Sequence, residues 1–158
     1  MLELGCGGGR DAQHMIAKGF AVDPTDGVPA IAAKASERLG FAVRVMRFDE
    51  LEASERYDAV VASASLLHVP REGLPDVLTR IWDALKPGGW HLATYKTGEV
   101  DGRDKFGRYF NYLDRQYAEA IYAAAGDWAL TEFDEYSGSG YLNSPANWLK
   151  VITRKSTN

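Results

Sequence analysis

The sequence predicts an α/β fold, a mostly parallel sheet with helices on both faces. Three observations carry that expectation. Strand-like and helix-like segments alternate through the first half of the chain. The apolar run "YDAVVAS" at 57–63 has the composition of a strand buried on both faces. The stretch "LELGCGGGR" at 2–10 joins a first short strand directly to a helix through a loop of four glycines.

Each element has its own signal. Residues 1–4 read as the end of a buried strand. A helix is expected over 11–18, with Ala12, Met15 and Ile16 on one face and Gly19 as its stop. "FAVD" at 20–23 reads as a strand ended by "PTDG". A second helix fits 29–39, with Ile31, Ala35 and Leu39 inward and Gly40 closing it. "AVRVMRF" at 42–48 alternates as a strand does. From Arg71 to Leu85 the apolar residues Leu74, Val77, Leu78, Ile81, Trp82 and Leu85 keep helical spacing, and "KPGG" ends the run. "WHLATYK" at 90–96 reads as a strand, and the polar stretch 97–112 is long enough to be a functional loop. A helix over 113–125 would turn Tyr117, Ala120, Ile121 and Ala124 to one side. Strands near 128–136 and 147–154 close the chain, with "SGSG" at 137–140 as a turn. No linker or repeat divides the sequence, so a single domain over 1–158 is expected.

Composition narrows the function. The 158 residues are 46% apolar and 25% charged, enough for a core, and the net charge of -4 argues against nucleic acid and anionic membranes as partners. Cys6 is the one cysteine, so no intrachain disulfide forms and a reducing cytoplasm is expected. The first residues lack the pattern of a signal peptide, and no apolar run is long enough to span a bilayer. No metal site is expected, and the chain is expected to be a monomer or a homodimer.

The glycine loop is a binding site in almost any reading, because it brings backbone N–H groups and a helix N-terminus to one point. No Gly-Lys-Ser/Thr follows, which argues against a phosphate loop. Counted from Gly7, "GGGRDA" satisfies a lenient dinucleotide fingerprint, and Asp26 lies at a ribose-binding distance from it. The loop by itself therefore leaves NAD open.

The later blocks point elsewhere. Glu3-x-Gly5-x-Gly7-x-Gly9, Asp26, "FDEL" at 48–51, "SLLHVP" at 65–70 and "ALKPGGWHLAT" at 84–94 occur in one order along the chain. Together they resemble the motifs of class I S-adenosylmethionine-dependent methyltransferases. "GEVDGRDKFGRYFNY" and "WLKVITRK" are similar to a bacterial small-molecule subgroup, the tellurite-resistance methyltransferase-like proteins. The resemblance implies a Rossmann-like, doubly wound sheet in the order 3-2-1-4-5-7-6, with the seventh strand antiparallel. It implies S-adenosylmethionine as cofactor and a small-molecule acceptor, with methyl transfer as the activity. Glu3, Gly5, Gly7, Gly9, Asp26, Asp49, Glu50, Leu51 and Ser65 become the cofactor-binding candidates. Asp26 would hold the ribose hydroxyls, and Asp49 the adenine amino group. Family members usually carry a helical segment before the glycine motif, so the chain is expected to lack one. Two rival readings follow: a non-catalytic module that binds S-adenosylmethionine or S-adenosylhomocysteine, and an NAD-dependent oxidoreductase.

Candidate catalytic residues are His68, Arg108 and Tyr109. His68 suits a general base, or a histidine that fixes the loop before Pro70. Ser63 and Ser65 lie near it, but no Gly-x-Ser-x-Gly elbow supports a hydrolase. Arg103, Lys105 and Arg108 would bind an anionic acceptor, with Tyr109 and Tyr112 closing its pocket, or would pair with Asp101 and Asp104 in a solvated loop. Cys6 reads as a small residue packed in a tight loop.

Overall fold

The structure is a computed structural model and describes residues 1–98, 101–104, 107–140 and 143–157. Along the chain lie β1 (Leu2–Leu4), α1 (Arg10–Ala17), β2 (Asp23–Asp26), α2 (Pro29–Leu39), β3 (Arg44–Val45) and β4 (Tyr57–Ala62). There follow α3 (Leu74–Ala84), β5 (Leu85–Lys96), β6 (Gly102–Arg103), β7 (Tyr109–Phe110), α4 (Arg115–Ala125), β8 (Trp128–Ser139) and β9 (Pro145–Lys155). Short 3-10 turns stand at Phe48–Glu50 and Leu66–His68.

Seven strands form one sheet in the order β3-β2-β1-β4-β5-β9-β8, and β6 pairs with β7 in a separate ribbon. Counted within the main sheet alone, that order is 3-2-1-4-5-7-6. The first five strands are parallel, and β9 lies antiparallel to both β5 and β8. The order reverses direction between β1 and β4. Right-handed crossovers therefore set α1 and α2 on one face and α3 and α4 on the other. The reversal also opens a crevice at the carboxyl ends of β1 and β4, the edge where such sheets bind ligands.

Several boundaries differ from the sequence reading. The second strand is Asp23–Asp26 rather than 20–23, because Leu2 pairs with Asp23 and the ladder of β1 offers nothing to residues further back. Phe20 is accordingly exposed. The third strand shrinks to Arg44–Val45, which pair only with Thr25 and Asp26 at the sheet edge. Helix α3 starts at Leu74, since Pro75 lacks an N–H and fits only a first turn. Helix α4 buries Ala118, Ile121, Tyr122 and Ala125, while Ala120 and Ala124 face solvent. Its start is set by Asp114, whose carboxylate accepts the Tyr117 N–H at 2.8 Å. Ile16 on α1 and Ile31 on α2 are exposed, and on α2 the buried residues are Ala32 and Ala35. "SGSG" does not form the turn: Ser137, Gly138 and Ser139 pair with Asn147, Ala146 and Pro145 and end β8. Strand β4 is buried on one face only, with Ala59 and Val61 partly open on the other. No helix among the described residues is long and apolar enough to cross a membrane.

The buried face of β4 and β5 holds a polar chain of fixed direction. His91, Tyr95 and Tyr122 are fully buried. His91 Nδ1 lies 3.0 Å from the Val60 carbonyl, which can only accept, so Nδ1 carries the proton. Burial pushes His91 down to about 4, so the ring is neutral and Nε2 accepts from the Tyr122 hydroxyl at 3.0 Å. Tyr122 in turn accepts from Tyr95 at 2.9 Å. On β1, Glu3 is 2% exposed, and its Oε2 has no hydrogen-bond partner among the described residues. Burial first, and the charge of Asp11 second, push its carboxyl up to about 7.

These two groups pull stability in opposite directions. His91 titrates near 6.5 when unfolded and about 4 when folded, so unfolding takes up a proton and stability falls as pH drops through that window. Glu3 titrates near 4.5 unfolded and about 7 folded, so unfolding releases a proton and stability falls as pH rises through that window. Each effect is about 3 kcal/mol at full extent. Glu3→Gln removes the second and leaves the first. Urea unfolding of both proteins from pH 4.5 to 7 should show the variant gaining on the parent by about 3 kcal/mol as pH rises. Parallel stability curves would show that Glu3 does not titrate inside the fold.

Candidate functional site

The site starts where β1 ends. Gly5 has φ +69, and a Cβ there would lie 2.6 Å from Ser65 Cβ. Glycine is required both by the left-handed backbone and by this close approach. Gly7, with φ +54, is different: a Cβ on it would meet nothing within 4 Å, and the same space stands open over Gly8. The chain reaches α1 through Gly9, with Asp11 in the first helical turn.

Asp26 closes this loop from β2. Its Oδ2 accepts the Gly7 N–H at 3.0 Å and its Oδ1 accepts the Val28 N–H at 2.9 Å. Both oxygens keep lone pairs for a further donor. Backbone bonding reinforces the joint, since the Cys6 N–H reaches the Thr25 carbonyl at 2.8 Å. Cys6 itself is inert. Burial, with the charges of Glu3 and Asp26, pushes its thiol up to about 12.

The remaining cofactor candidates divide into two kinds. Asp49 is half exposed and gripped by the Arg47 guanidinium, which holds its carboxyl below the usual range. It stands open to a ligand. Glu50 instead accepts the Arg47 N–H at 2.8 Å and caps the 3-10 turn. Leu51 is buried in the core. The Ser65 hydroxyl donates to the Leu4 carbonyl at 2.6 Å and braces the loop from behind.

Two cavities meet at His68. One, of about 400 Å³, lies between Gly27, Arg47, Phe48, Asp49, Val69 and His68. The other, of about 460 Å³, lies at the carboxyl ends of β4 and β5, lined by Ser63, His68, Lys96, Phe110, Tyr136 and Trp148 among others. His68 is exposed, and its Nδ1 lies 2.7 Å from the Tyr109 carbonyl. A carbonyl only accepts, so Nδ1 donates and Nε2 of the neutral ring is left as an acceptor. The ring edge rests on Phe110, with centroids 4.8 Å apart.

The basic loop residues are placed unevenly. Arg108 lines the second cavity, but its guanidinium holds Asp104 at 2.9 and 2.6 Å. Arg103 bonds the Gly107 carbonyl on the β6–β7 ribbon and does not line the cavity. Lys105 lies outside the described residues. Tyr109 contributes its carbonyl to His68, and its hydroxyl donates to Asp101 at 3.1 Å, so the side chain does not serve the cavity. Tyr112 stacks on Phe110 from outside that lining.

Lys96, Phe110, Tyr136 and Trp148 escaped the sequence reading as cavity residues. The alternation on β5 held the signal: Tyr95 is buried, so Thr94 and Lys96 must face the other way. The pairing of Tyr136 with Trp148 follows from the register of β8 on β9, which the misplaced turn at "SGSG" concealed.

Comparison with known proteins agrees with this geometry. The profile of the family described as "Methyltransferase domain" matches residues 1–89. A curated relative, the probable S-adenosyl-L-methionine-dependent methyltransferase TehB of Haemophilus influenzae, is 25% identical over 145 residues, covering 87% of this chain and 49% of the relative. The chain thus spans about half the length of the curated relatives it matches. Among solved structures, a SAM-dependent methyltransferase of Methanosarcina mazei superposes with a TM-score of 0.85 at 14% identity, over 99% of this chain and 92% of that one. The 1,6-didemethyltoxoflavin-N1-methyltransferase of Burkholderia thailandensis, solved with its substrate and S-adenosylhomocysteine, gives 0.79 at 21% identity, over 98% of this chain and 70% of that one. The two structures share the fold, and the family profile covers more than half of the sequence: the chain belongs to the methyltransferase-domain family.

Proposed function

We propose that this chain binds S-adenosylmethionine along the glycine loop and methylates a small anionic acceptor in the cavity beyond His68. The carrying observation is that His68 stands in the wall of both cavities. A cofactor held on one side and an acceptor on the other would meet at its ring. The unit that does this is read as one domain, residues 1–158, since a single sheet bears both sides of the site.

The donor set fits the cofactor. Gly7 and Gly8 leave room for a ligand directly on the backbone. Glu3 is a buried carboxyl whose Oε2 has no partner among the described residues, Asp26 adds an acid whose oxygens accept from the Gly7 and Val28 N–H groups, and Asp49 shares its charge with Arg47. Such a groove suits the ammonium and sulfonium cations of S-adenosylmethionine, and it opposes the diphosphate of NAD. Asp26 would take the ribose hydroxyls and Asp49 the adenine amino group. When bound, the cofactor supplies a methyl group whose bond to sulfur breaks with the electron pair staying on sulfur. The protein's share is to position, to exclude water and to accept a proton. His68 Nε2 would accept the acceptor's proton, with Tyr109 holding the tautomer. Lys96 would hold the acceptor's negative charge, since among the described residues it has no carboxylate partner and lines the cavity.

Calorimetric titration with S-adenosylmethionine, S-adenosylhomocysteine and NAD separates the readings. The first two should bind and NAD should not. Binding of NAD alone would overturn the proposal. Asp26→Ala should weaken S-adenosylhomocysteine by about 1 to 3 kcal/mol, as charge-assisted hydrogen bonds and the Gly7 tether are lost. An unchanged affinity would remove Asp26 from the site.

His68→Gln should leave S-adenosylhomocysteine binding intact and slow transfer by about 10²-fold or more, measured with an acceptor found in a panel of small acids. Transfer at the parent rate would make His68 a structural residue only.

A further inference from the structure

The structure assigns the cavity beside His68 to a planar aromatic acid, its carboxylate on Lys96 and its ring against Trp148 and Phe110. This rests on the methyl-transfer reading only in naming the cavity the acceptor's. Phe110, Trp148 and Tyr136 contribute three aromatic rings to its lining. Phe110 is itself held in place, stacked on Tyr112 at 5.8 Å and met edge-on by His68 at 4.8 Å. The Lys96 ammonium lies 4.6 Å from the Phe110 ring centre and 5.8 Å from that of Trp148. Aromatic faces and a cation are thus within one ligand's length of each other.

The polar groups select among ligand classes. No Asp, Glu, Asn or Gln is among the described residues that line the cavity. A polyol would find only the hydroxyls of Ser63, Thr94, Ser139 and Tyr136 and His68 Nε2 as side-chain acceptors, and an amine would meet Lys96 with no carboxylate among the described lining residues. A carboxylate meets the opposite situation. Arg108 is neutralised by Asp104, which leaves Lys96 as the cation to which a new anion brings the most. Gly140 borders that cation, since a Cβ there would come within 3.2 Å of both Lys96 Nζ and Ser144 Oγ. A volume of about 460 Å³ has room for a substituted six-membered ring.

The test uses the whole chain and three probes. S-adenosylhomocysteine is titrated first, and its binding reports on the cofactor reading alone. The chain saturated with it is then titrated with 4-hydroxybenzoate, cyclohexanecarboxylate and phenol. If S-adenosylhomocysteine does not bind, the cofactor reading fails, and the same three probes are titrated against the chain alone, where the cavity makes the same prediction. The acid with the ring should bind at least tenfold more tightly than either partial mimic. Lys96→Gln should bring 4-hydroxybenzoate down to the affinity of phenol, and Gly140→Ala should do so in part, with both variants unfolding as the parent does. Equal binding of cyclohexanecarboxylate, an unchanged affinity in both variants, or no binding of the aromatic acid in either series would overturn the assignment.

Discussion

One ionic hydrogen bond organises the site. The Gly7 N–H reaches Asp26 Oδ2 at 3.0 Å and so ties the exit of β1 to the end of β2. The bond works because the chain on either side of it is already fixed. Cys6 is pinned to Thr25 by backbone, and Gly5 is pressed so close to Ser65 that no other residue fits. Ser65, in turn, is bonded to Leu4. Three parallel strands are thereby locked at their carboxyl ends by contacts within a few residues of one another. The open space over Gly7 and Gly8 is what remains once that joint is made.

Charge is sorted across the joint. Glu3, Asp26 and Asp49 lie on the glycine-loop side, where Arg47 pairs with Asp49. Lys96 and Arg108 lie in the cavity on the other side of His68. The acids Glu3 and Asp26 and the cation Lys96 thus fall on opposite sides of His68, a separation that would suit the cationic donor and anionic acceptor proposed above. His68 at the boundary carries a tautomer fixed by a backbone carbonyl, so its free nitrogen is an acceptor without any rearrangement. The buried carboxyl of Glu3 belongs to the same logic. It is held up near 7 by burial, and an arriving cation would favour its ionised form.

Local chemistry and, through the family resemblance, the strand order were legible in the sequence; the register of the pairing was not. The glycine loop, Asp26 and the end of α2 at Gly40 each depend on residues within a short span, and each stands where the sequence put it. Asp49 is likewise placed at the groove. The second strand was misplaced by three residues because its limits come from its partner, and Leu2 pairs with Asp23. The face of α4 was misread for the same kind of reason. An alanine-rich helix offers little contrast, and Tyr122 is drawn inward by His91, a residue on β5. Reading "SGSG" as a turn hid the pairing of Tyr136 with Trp148 and with it the aromatic wall. Arg108 takes Asp104, the ion pairing within the loop that the sequence offered as its alternative, while the Tyr109 hydroxyl's bond to Asp101 could be assigned only in three dimensions.

The central claim is that the cofactor lies on the backbone of Gly7 and Gly8 against Asp26. Mapping of ¹⁵N-labelled protein during titration with S-adenosylhomocysteine addresses it directly. The account predicts the largest amide shifts at Gly7, Gly8, Val28 and Asp49, with smaller ones at His68 and little change along β8. Shifts confined to other surfaces, with the Gly7 amide unmoved at saturation, would contradict it.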